Sequence, residues 1–410
     1  MTGSPIAGLL GKPLPKRFCR GTHRSIDPEE TLARVRPHIA RMGITRIGNI
    51  TGLDRIGIPV AVAVRPNSRS ISVSQGKGLT LSHALASAAM EAVEGFHAEE
   101  VVPSRKASYA ELVRHVAVVE PDSLCSTGKA FDPEASIDWI DGYDLLRGAP
   151  CCLPAEIVHC DYTRRFDGFF LAGSNGLASG NEPVEALTAA ICELIERDGI
   201  AMWYAKGVVR QARQRLDLSS VDDPDCQVLL ALYDRARIAV RVWDLAGDLG
   251  VAAFLCQIRD ASPGDPRWLR RFQGAGCHPD RGIALARALT EAAQTRLTYI
   301  AGIRDDLLPA KYKEPQDAAI ADALIDAVSS ESDPVRFSDC PQFASGDLAA
   351  DLRWLIGQVR ACDLKRLIAV ALTQPDIDIP VFRVVIPALE GDPRHPLYLP
   401  GPRAQRAAIA

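Results

Sequence analysis

The feature that most constrains the fold of this chain is one type of segment that occurs three times, at nearly equal spacing. Each copy has a glycine-containing stretch, then an Ala-Leu pair, then a glutamate seven positions after that alanine. The copies are GKGLTLSHALASAAMEAVE (76–94), SNGLASGNEPVEALTAAICELIE (174–196) and AGCHPDRGIALARALTEAAQ (275–294). Such a repeat predicts a fold made of related supersecondary units that share one core.

The segments before each copy also repeat. Residues 27–42 have a helical pattern, and the strand-like runs ITRIGNIT and IPVAVAVR follow them. Residues 223–258 show the same order, and residues 108–158 show it more loosely. Each unit is therefore predicted to be a helix, two strands, a glycine loop and a helix. The predicted units span residues 27–98, 108–206 and 222–303, and a partial fourth unit at 348–390 has no closing helix.

Adjacent strands with helices before and after them predict an α+β architecture. We expect one main domain over residues 20–395, with an N-terminal tail at 1–19 and a Pro-containing C-terminal tail at 396–410. A variable polar stretch at 304–345 is predicted to be an insertion. By symmetry, the three closing helices are expected to bring their glutamates around one pseudo-threefold centre.

The glutamates form a stripe on each closing helix. Ser87, Glu91 and Glu94 lie at positions i, i+4 and i+7 and therefore share one face. Like charges one turn apart repel each other, and more strongly when they lose water. The second stripe contains Glu185, Glu193, Glu196 and Arg197, and the third contains Glu291. One such pair is usually a solvated face, but three copies in register favour a site for Mg²⁺, which takes carboxylate and phosphate oxygens.

Glycine-containing stretches run into the start of each closing helix. They are QGKG (75–78), GSNGLASGN (173–181) and QGAGCHPDRG (273–282). Free backbone N–H groups and the helix dipole at such a position favour an anion such as phosphate, and Lys77 adds a positive charge. The sequence has neither a Walker loop nor a GxGxxG fingerprint, so it supports neither a P-loop fold nor a Rossmann domain. Nucleotide phosphates held with Mg²⁺ are the predicted ligand.

Composition excludes several classes of partner. A formal charge of -4 argues against nucleic acid as a ligand. No stretch approaches the roughly 18 uninterrupted apolar residues of a membrane-spanning helix, and the N-terminus does not read as a signal peptide. The 11 cysteines contain no CxxC pair and fit reduced thiols better than a disulfide framework or a zinc ribbon. We therefore expect a cytoplasmic protein.

These residues resemble the motifs of the YcaO family. The match runs from RGTHRSIDPEETLARV (20–35) to PVFRVVIPALEGDP (380–393) and covers nearly the whole chain. Two paired motifs are specific to the family: SxxxExxE at Ser87, Glu91 and Glu94, and ExxER at Glu193, Glu196 and Arg197. The resemblance implies a YcaO-like fold whose repeats surround a central site for ATP and Mg²⁺.

The resemblance also implies a role for each residue of this site. The expected Mg²⁺ and triphosphate ligands are Glu91, Glu94, Glu193, Glu196 and Glu291. The nucleotide is expected to contact Ser87, Asn181, Glu185 and Arg197, with Arg24 and Thr31 as phosphate or ribose contacts and Lys77 as an additional cation. The family's third motif is usually QxxxE, but Arg287 stands in place of its glutamine, one turn before Glu291. Arg287 is therefore grouped with the nucleotide contacts.

YcaO enzymes activate a peptide backbone amide by phosphorylating its oxygen. Residues 20–35 and 65–81 look more like the branch that works with a TfuA-like partner in peptide thioamidation. The resemblance thus implies thioamide formation in a ribosomally made peptide or protein, and it suggests a homodimer. Because only residues 1–19 precede the matched region, substrate recognition is expected to be intrinsic or to come from a separate chain.

Two other functions fit the same sequence features. A cyclodehydratase would use the same ATP site to form an azoline from a Cys, Ser or Thr side chain of the substrate. Azoline-forming members often end in PxPxP, whereas this chain ends in PLYLPGPRAQRAAIA. A non-catalytic scaffold that binds nucleotide is the third possibility, and the intact acidic motifs in all three copies disfavour it.

Overall fold

The computed structural model describes residue 8 and residues 11–260, 271–304 and 333–409. In these residues the fold consists of three antiparallel sheets covered by helices. The predicted α+β class is confirmed. The predicted insertion at 304–345 lies largely outside the described residues, as does most of the first half of the predicted N-terminal tail. None of the helices in the described ranges is long and apolar enough to cross a membrane.

The first unit begins with a capped helix and ends with a long one. Its elements are α1 (Pro28–Val35), β1 (Arg46–Asn49), β2 (Val60–Val64), β3 (Val73–Lys77) and α2 (Leu81–Glu99). Asp27 caps α1 by accepting a hydrogen bond from the Glu30 N–H, and Thr80 caps α2 by accepting one from the His83 N–H. The strands pair in the order β1-β2-β3, and β2 is buried over most of its length.

The second unit supplies strands to a larger sheet. Its elements are β4 (Arg105–Ala107), α3 (Tyr109–Leu112), β5 (Ile137–Asp144), β6 (Ala149–Pro154), β7 (Leu177–Ser179), α4 (Pro183–Ala205) and α5 (Gly207–Arg213). The helix α4 starts with Pro183 at its first turn, where the missing N–H costs no hydrogen bond. Thirteen of its side chains are buried, so α4 is a central core helix.

The third unit repeats the architecture of the first. Its elements are α6 (Pro224–Arg235), β8 (Ile238–Asp244), β9 (Ala253–Asp260), β10 (Phe272–Cys277) and α7 (Arg281–Ala301). The strands pair in the order β10-β9-β8, and Asp280 caps α7 by accepting hydrogen bonds from the N–H groups of Gly282 and Ile283. Both this unit and the first have three strands where the sequence predicted two strands and a glycine loop.

The partial fourth unit completes the sheet of the second. It contains α8 (Leu348–Ala361), β11 (Ile368–Ala371) and β12 (Val381–Val385), and the last helix is α9 (Pro402–Ile409). The resulting six-stranded sheet has the order β4-β5-β11-β12-β7, with β6 paired to β5. The segment predicted as a C-terminal tail thus includes a helix, and α9 packs against α4.

Glycines in β3 and β10 allow the closing helices to lie directly on the strands. A Cβ at Gly76 would overlap backbone atoms of Ala84 and Ala88 in α2, and one at Gly274 would overlap backbone atoms of α7. The sequence interpretation of QGKG and QGAG as loops is therefore wrong for most of these residues. Their glycines serve close helix-strand approach.

The closing helices are arranged cyclically. Each one covers its own unit and also contacts a strand of the next unit: α2 contacts β7, α4 contacts β10, and α7 contacts β3. This arrangement brings the three helices together around one centre. The convergence expected from the repeat symmetry is therefore present in the structure.

Candidate nucleotide site

A cavity of about 550 Å³ lies where the three closing helices meet. Every residue that the sequence analysis assigned to the site is in its wall: Arg24, Thr31, Lys77, Ser87, Glu91, Glu94, Asn181, Glu185, Glu193, Glu196, Arg197, Arg287 and Glu291. These residues come from the N-terminal segment and from all three repeat units. The cavity is large enough for a small ligand and combines carboxylates with several cationic side chains.

A backbone hydrogen bond to the repeated glutamate occurs in the second and third units. The N–H groups of Gly176 and Ala275 donate to Glu193 and Glu291, and both donor-acceptor distances are 3.2 Å. In the first unit, desolvation raises the pKa of Glu91 and the backbone of Gln75 opposes this shift. The sequence analysis expected N–H groups of these glycine-containing stretches to be free for a phosphate. Those of Gly176 and Ala275 instead position two carboxylates that line the cavity.

Ion pairs link glutamates of different helices to two cations. Lys77 on β3 lies 2.5 Å from Glu291 on α7, which joins the first unit to the third. Arg197 lies 3.5 Å from Glu193 and 3.4 Å from Glu196 on its own helix. Although desolvation opposes the change, the charges of Lys77 and Arg197 lower the pKa of Glu291 to about 2. Glu291 is therefore ionised at neutral pH.

Three other carboxyl groups in the cavity wall resist ionisation. Desolvation raises the pKa of Glu91 to about 7, against the opposing charge of Lys77. Desolvation raises the pKa of Glu94 to about 8, although hydrogen bonds from Ser179 lower it. The pKa of Glu196 rises to about 7, mainly from desolvation and against the charge of Arg197. The protein's own cations thus leave part of the negative charge uncompensated, which a divalent cation would balance.

Two arginines present polar atoms that the described residues do not satisfy. Nε of Arg197 and Nε of Arg287 are buried and have no hydrogen-bond partner there. Buried polar groups of this kind are normally paired with protein, water or a ligand. Phosphate oxygens match arginine because a guanidinium can donate two parallel hydrogen bonds to them. Carboxylates for a divalent cation and arginines for phosphates make this donor set fit MgATP.

Glu185 and Asn181 have a structural task beside the cavity. Oε1 of Glu185 accepts hydrogen bonds from N and Oγ of Ser25 at 2.7 and 2.8 Å, and Oε2 accepts two from Asn181. Arg34 of α1 donates to the carbonyl of Asn181 at 3.0 Å. These bonds hold the N-terminal segment, including Arg24, against the start of α4.

Sequence reasoning missed several residues of the wall. Ser179 donates to Glu94 from both N and Oγ at 2.8 Å, which anchors the first closing helix to a strand of the second unit. Gln294 donates to the carbonyl of Gln75 at 2.9 Å and so ties α7 to β3. The sequence signal for Gln294 was its position in the third repeat, three residues after Glu291. The sequence signal for Ser179 was its position in the glycine-containing stretch before α4.

Comparison with known proteins identifies the family. Residues 75–390 match the YcaO cyclodehydratase family, which is described as ATP- and Mg²⁺-binding. An uncharacterized protein in the tfuA 3′ region of Rhizobium leguminosarum bv. trifolii is 34% identical over 374 residues, which cover 90% of this chain and 89% of that protein. An uncharacterized protein of Methanothermobacter thermautotrophicus is 33% identical over 375 residues, with coverage of 90% and 95%.

Solved structures show the same fold. A heterocyclase in complex with substrate and cofactor has a TM-score of 0.76 at 24% identity; the alignment covers 93% of this chain and 54% of the heterocyclase, so this chain spans about half its length. YcaO from Methanopyrus kandleri, bound with AMPPCP and Mg²⁺, has a TM-score of 0.72 at 23% identity, with coverage of 92% and 95%. The predicted fold and the predicted ligands, ATP and Mg²⁺, are those of the matched family. The chain therefore belongs to the YcaO family, a family of ATP-dependent peptide-modifying enzymes.

Proposed function

We propose that this protein uses MgATP to phosphorylate a backbone amide oxygen of a ribosomally made peptide or protein. A sulfur nucleophile then adds to the activated carbon, and the C–O bond breaks to release phosphate and leave a thioamide. The observation that carries the proposal is the meeting of Glu91, Glu193 and Glu291 from three helices in one cavity. Lys77 and Arg197 accompany them there. No single helix could surround a metal-nucleotide complex in this way.

The acidic and the basic residues of the cavity have different proposed roles. Glu91, Glu94, Glu193, Glu196 and Glu291 are the proposed metal ligands, and the backbone hydrogen bonds described above fix the orientation of two of them, Glu193 and Glu291. Lys77, Arg197 and Arg287 are proposed to neutralise the triphosphate, and Arg24 and Thr31 to contact phosphate or ribose. Bound MgATP supplies the phosphoryl group that turns the amide oxygen into a leaving group. The chain's own contribution is positioning and charge neutralisation.

The gene context of a relative supports the thioamidation branch. The relative from Rhizobium leguminosarum bv. trifolii is named for its place in the tfuA 3′ region. We infer that a TfuA-like protein is the partner of this chain and takes part in delivering sulfur. A homodimer is also part of the proposal, and light scattering of the purified protein tests it.

A cyclodehydratase is the second candidate. The matched family is named for this activity, and one structural neighbour is a heterocyclase. The same cavity would serve both reactions, because both use ATP to convert an amide oxygen into a phosphate leaving group. They differ in the nucleophile, which is a sulfur species for thioamidation and a substrate side chain for cyclisation.

Co-expression with a TfuA-like protein and a candidate precursor peptide tests the proposal. ATP consumption that depends on the peptide, together with a product mass showing exchange of one oxygen for sulfur, would support thioamidation. Loss of one water would assign the cyclodehydratase instead. A nucleotide-binding scaffold would bind MgATP but show no peptide-dependent consumption.

A further inference from the structure

One end of the cavity is not acidic. It is formed by the N-terminal segment and the start of α2, with Gly21, Ile26, Leu79 and His83 in its wall. Gly21 packs against Leu79, and Gly78 packs against the Cβ of His83, so closely that neither position has room for a Cβ. Backbone and apolar atoms are therefore closely packed beside His83. Such a surface suits the flat face of a nucleobase better than a phosphate.

His83 lines this end and carries an unsatisfied polar atom. The residue is 8% exposed, and its Nε2 is buried without a hydrogen-bond partner among the described residues. Two contacts fix the ring: Nδ1 lies 3.0 Å from Oγ1 of Thr80, and Phe18 packs edge-to-face against it with ring centroids 5.1 Å apart. An immobilised ring with one free nitrogen is a preorganised contact for a ligand.

The position of His83 on α2 matches the layout of a nucleotide. His83, Ser87 and Glu91 follow each other at about one-turn intervals on the same face of the helix, and all three line the cavity. From His83 to Glu91 the helix rises roughly 12 Å. A triphosphate held at Glu91 would thus place its sugar beside Ser87 and its base beside His83.

The protonation state of His83 is suited to an uncharged partner. Burial, followed by the charge of Arg20, lowers the pKa of His83, so the ring is neutral at pH 7. A neutral imidazole has one ring nitrogen that donates and one that accepts. The edge of adenine also carries both donors and acceptors, so either tautomer of His83 finds a partner there.

We infer that Nε2 of His83 hydrogen-bonds to the base edge of the bound nucleotide and thereby contributes to recognition of adenine. The inference rests on the proposed function, because it takes ATP to be the ligand. Burial of a free ring nitrogen is not enough by itself. His97, on the same helix, also has a buried Nε2 without a partner in the described ranges, but it does not line the cavity.

His97 therefore provides a matched control. Calorimetry would measure the Mg²⁺-dependent binding of ATP, of ribose 5′-triphosphate, which lacks the base, and of inorganic tripolyphosphate. We expect His83→Leu to weaken ATP binding by about three- to tenfold, as for one neutral hydrogen bond, and to leave the other two ligands unchanged. His97→Leu should bind all three ligands as the parent does.

Two further variants keep the test decisive. His83→Phe retains an aromatic ring against Phe18 without the ring nitrogen, so it should lose ATP affinity as His83→Leu does. His83→Gln retains a donor and an acceptor and should recover part of the loss. Unchanged ATP affinity in both His83→Leu and His83→Phe, or an equal loss for all three ligands, would overturn the inference. A parent protein that binds none of the three would instead contradict the proposed function.

Discussion

The ammonium of Lys77 on β3 lies 2.5 Å from Oε2 of Glu291 on α7, so an ion pair joins the first and third units inside the cavity. The same glutamate accepts a hydrogen bond from the backbone N–H of Ala275 in its own unit. Glu291 is thus held from both sides and stays ionised. Lys77 places a positive charge where triphosphate oxygens are proposed to bind.

Replacement of Lys77 tests the role of this cation. Lys77→Met removes one of the two charges that lower the pKa of Glu291 and leaves the carboxylates of the cavity less compensated. We expect its dissociation constant for MgATP to rise by about tenfold or more, since the free energy of one hydrogen bond to a charged group corresponds to about this change in affinity. Lys77→Arg should lose less. Lys365→Met, at an exposed lysine paired with Asp363, is the control, and equal affinities in both methionine variants would refute the role.

The raised pKa values predict how the stability of the metal-free protein depends on pH. Glu91, Glu94 and Glu196 have pKa values of about 7, 8 and 7 in the folded protein. The unfolded chain ionises these groups near pH 4.5, so between pH 4.5 and 8 the folded state holds more protons. These three groups therefore contribute a decrease in the free energy of unfolding as pH rises through this window. Glu291, with its pKa of about 2, is ionised in the folded protein throughout this window.

Urea unfolding with chelator at several pH values measures this slope. Glu94→Gln removes one of the raised groups and should make the slope shallower, because glutamine does not titrate. An unchanged slope in Glu94→Gln would show that this carboxyl is not protonated in the folded protein. The affinity for MgATP should change in the opposite direction and increase with pH over the same window, since metal ligands must be deprotonated.

The last helix makes a separate prediction about stability. Arg403 of α9 donates to both oxygens of Asp198 at 2.9 and 2.8 Å, and Asp198 directly follows Arg197 on α4. Arg403→Met leaves the buried Asp198 without its cationic partner, and only the Glu390 N–H still donates to it. This loss should cost about 3 kcal/mol of unfolding free energy in urea titrations. The exposed Arg406 on the same helix is the control, and Arg406→Met should change stability by less than about 0.5 kcal/mol. Similar losses in both variants would rule out the buried ion pair as the cause.

The strand glycines provide a test of helix position. Gly76→Ala adds a Cβ that overlaps the backbone of α2 at Ala84 and Ala88, so the helix that carries Glu91 must move. We expect a clear loss of thermal stability and of MgATP affinity. Gly52→Ala, at a site with open space around it, should change neither. If Gly76→Ala behaved like Gly52→Ala, close helix-strand packing would not explain this glycine.

The sequence predicted those parts of the structure that recur three times. The repeated Ala-Leu and glutamate pattern identified the closing helices, and symmetry predicted that Glu91, Glu193 and Glu291 would converge. All the assigned site residues indeed lie in one cavity wall. Their roles as ligands stay predictions, because the cavity shows only their position.

Other features depended on tertiary structure and could not be read from local patterns. The segment QGKG has the sequence pattern of a turn, because glycine favours loops. In the structure its glycines are needed because a side chain there would prevent packing against α2. The pairing of Lys77 with Glu291 joins residues far apart in the chain. The lack of a hydrogen-bond partner for Nε2 of His83 could be identified only from the surrounding structure.

The most direct test of the account is the binding of ATP to three variants, each altered on a different closing helix: Glu91→Gln, Glu193→Gln and Glu291→Gln. Calorimetry with and without Mg²⁺ would use the exposed Glu134→Gln as the control. We predict that the parent and the control bind ATP only with Mg²⁺, and that each of the three variants loses this binding by tenfold or more while it remains folded. Full Mg²⁺-dependent affinity in any one of them, or binding by the parent that needs no Mg²⁺, would contradict a single site shared by the three helices.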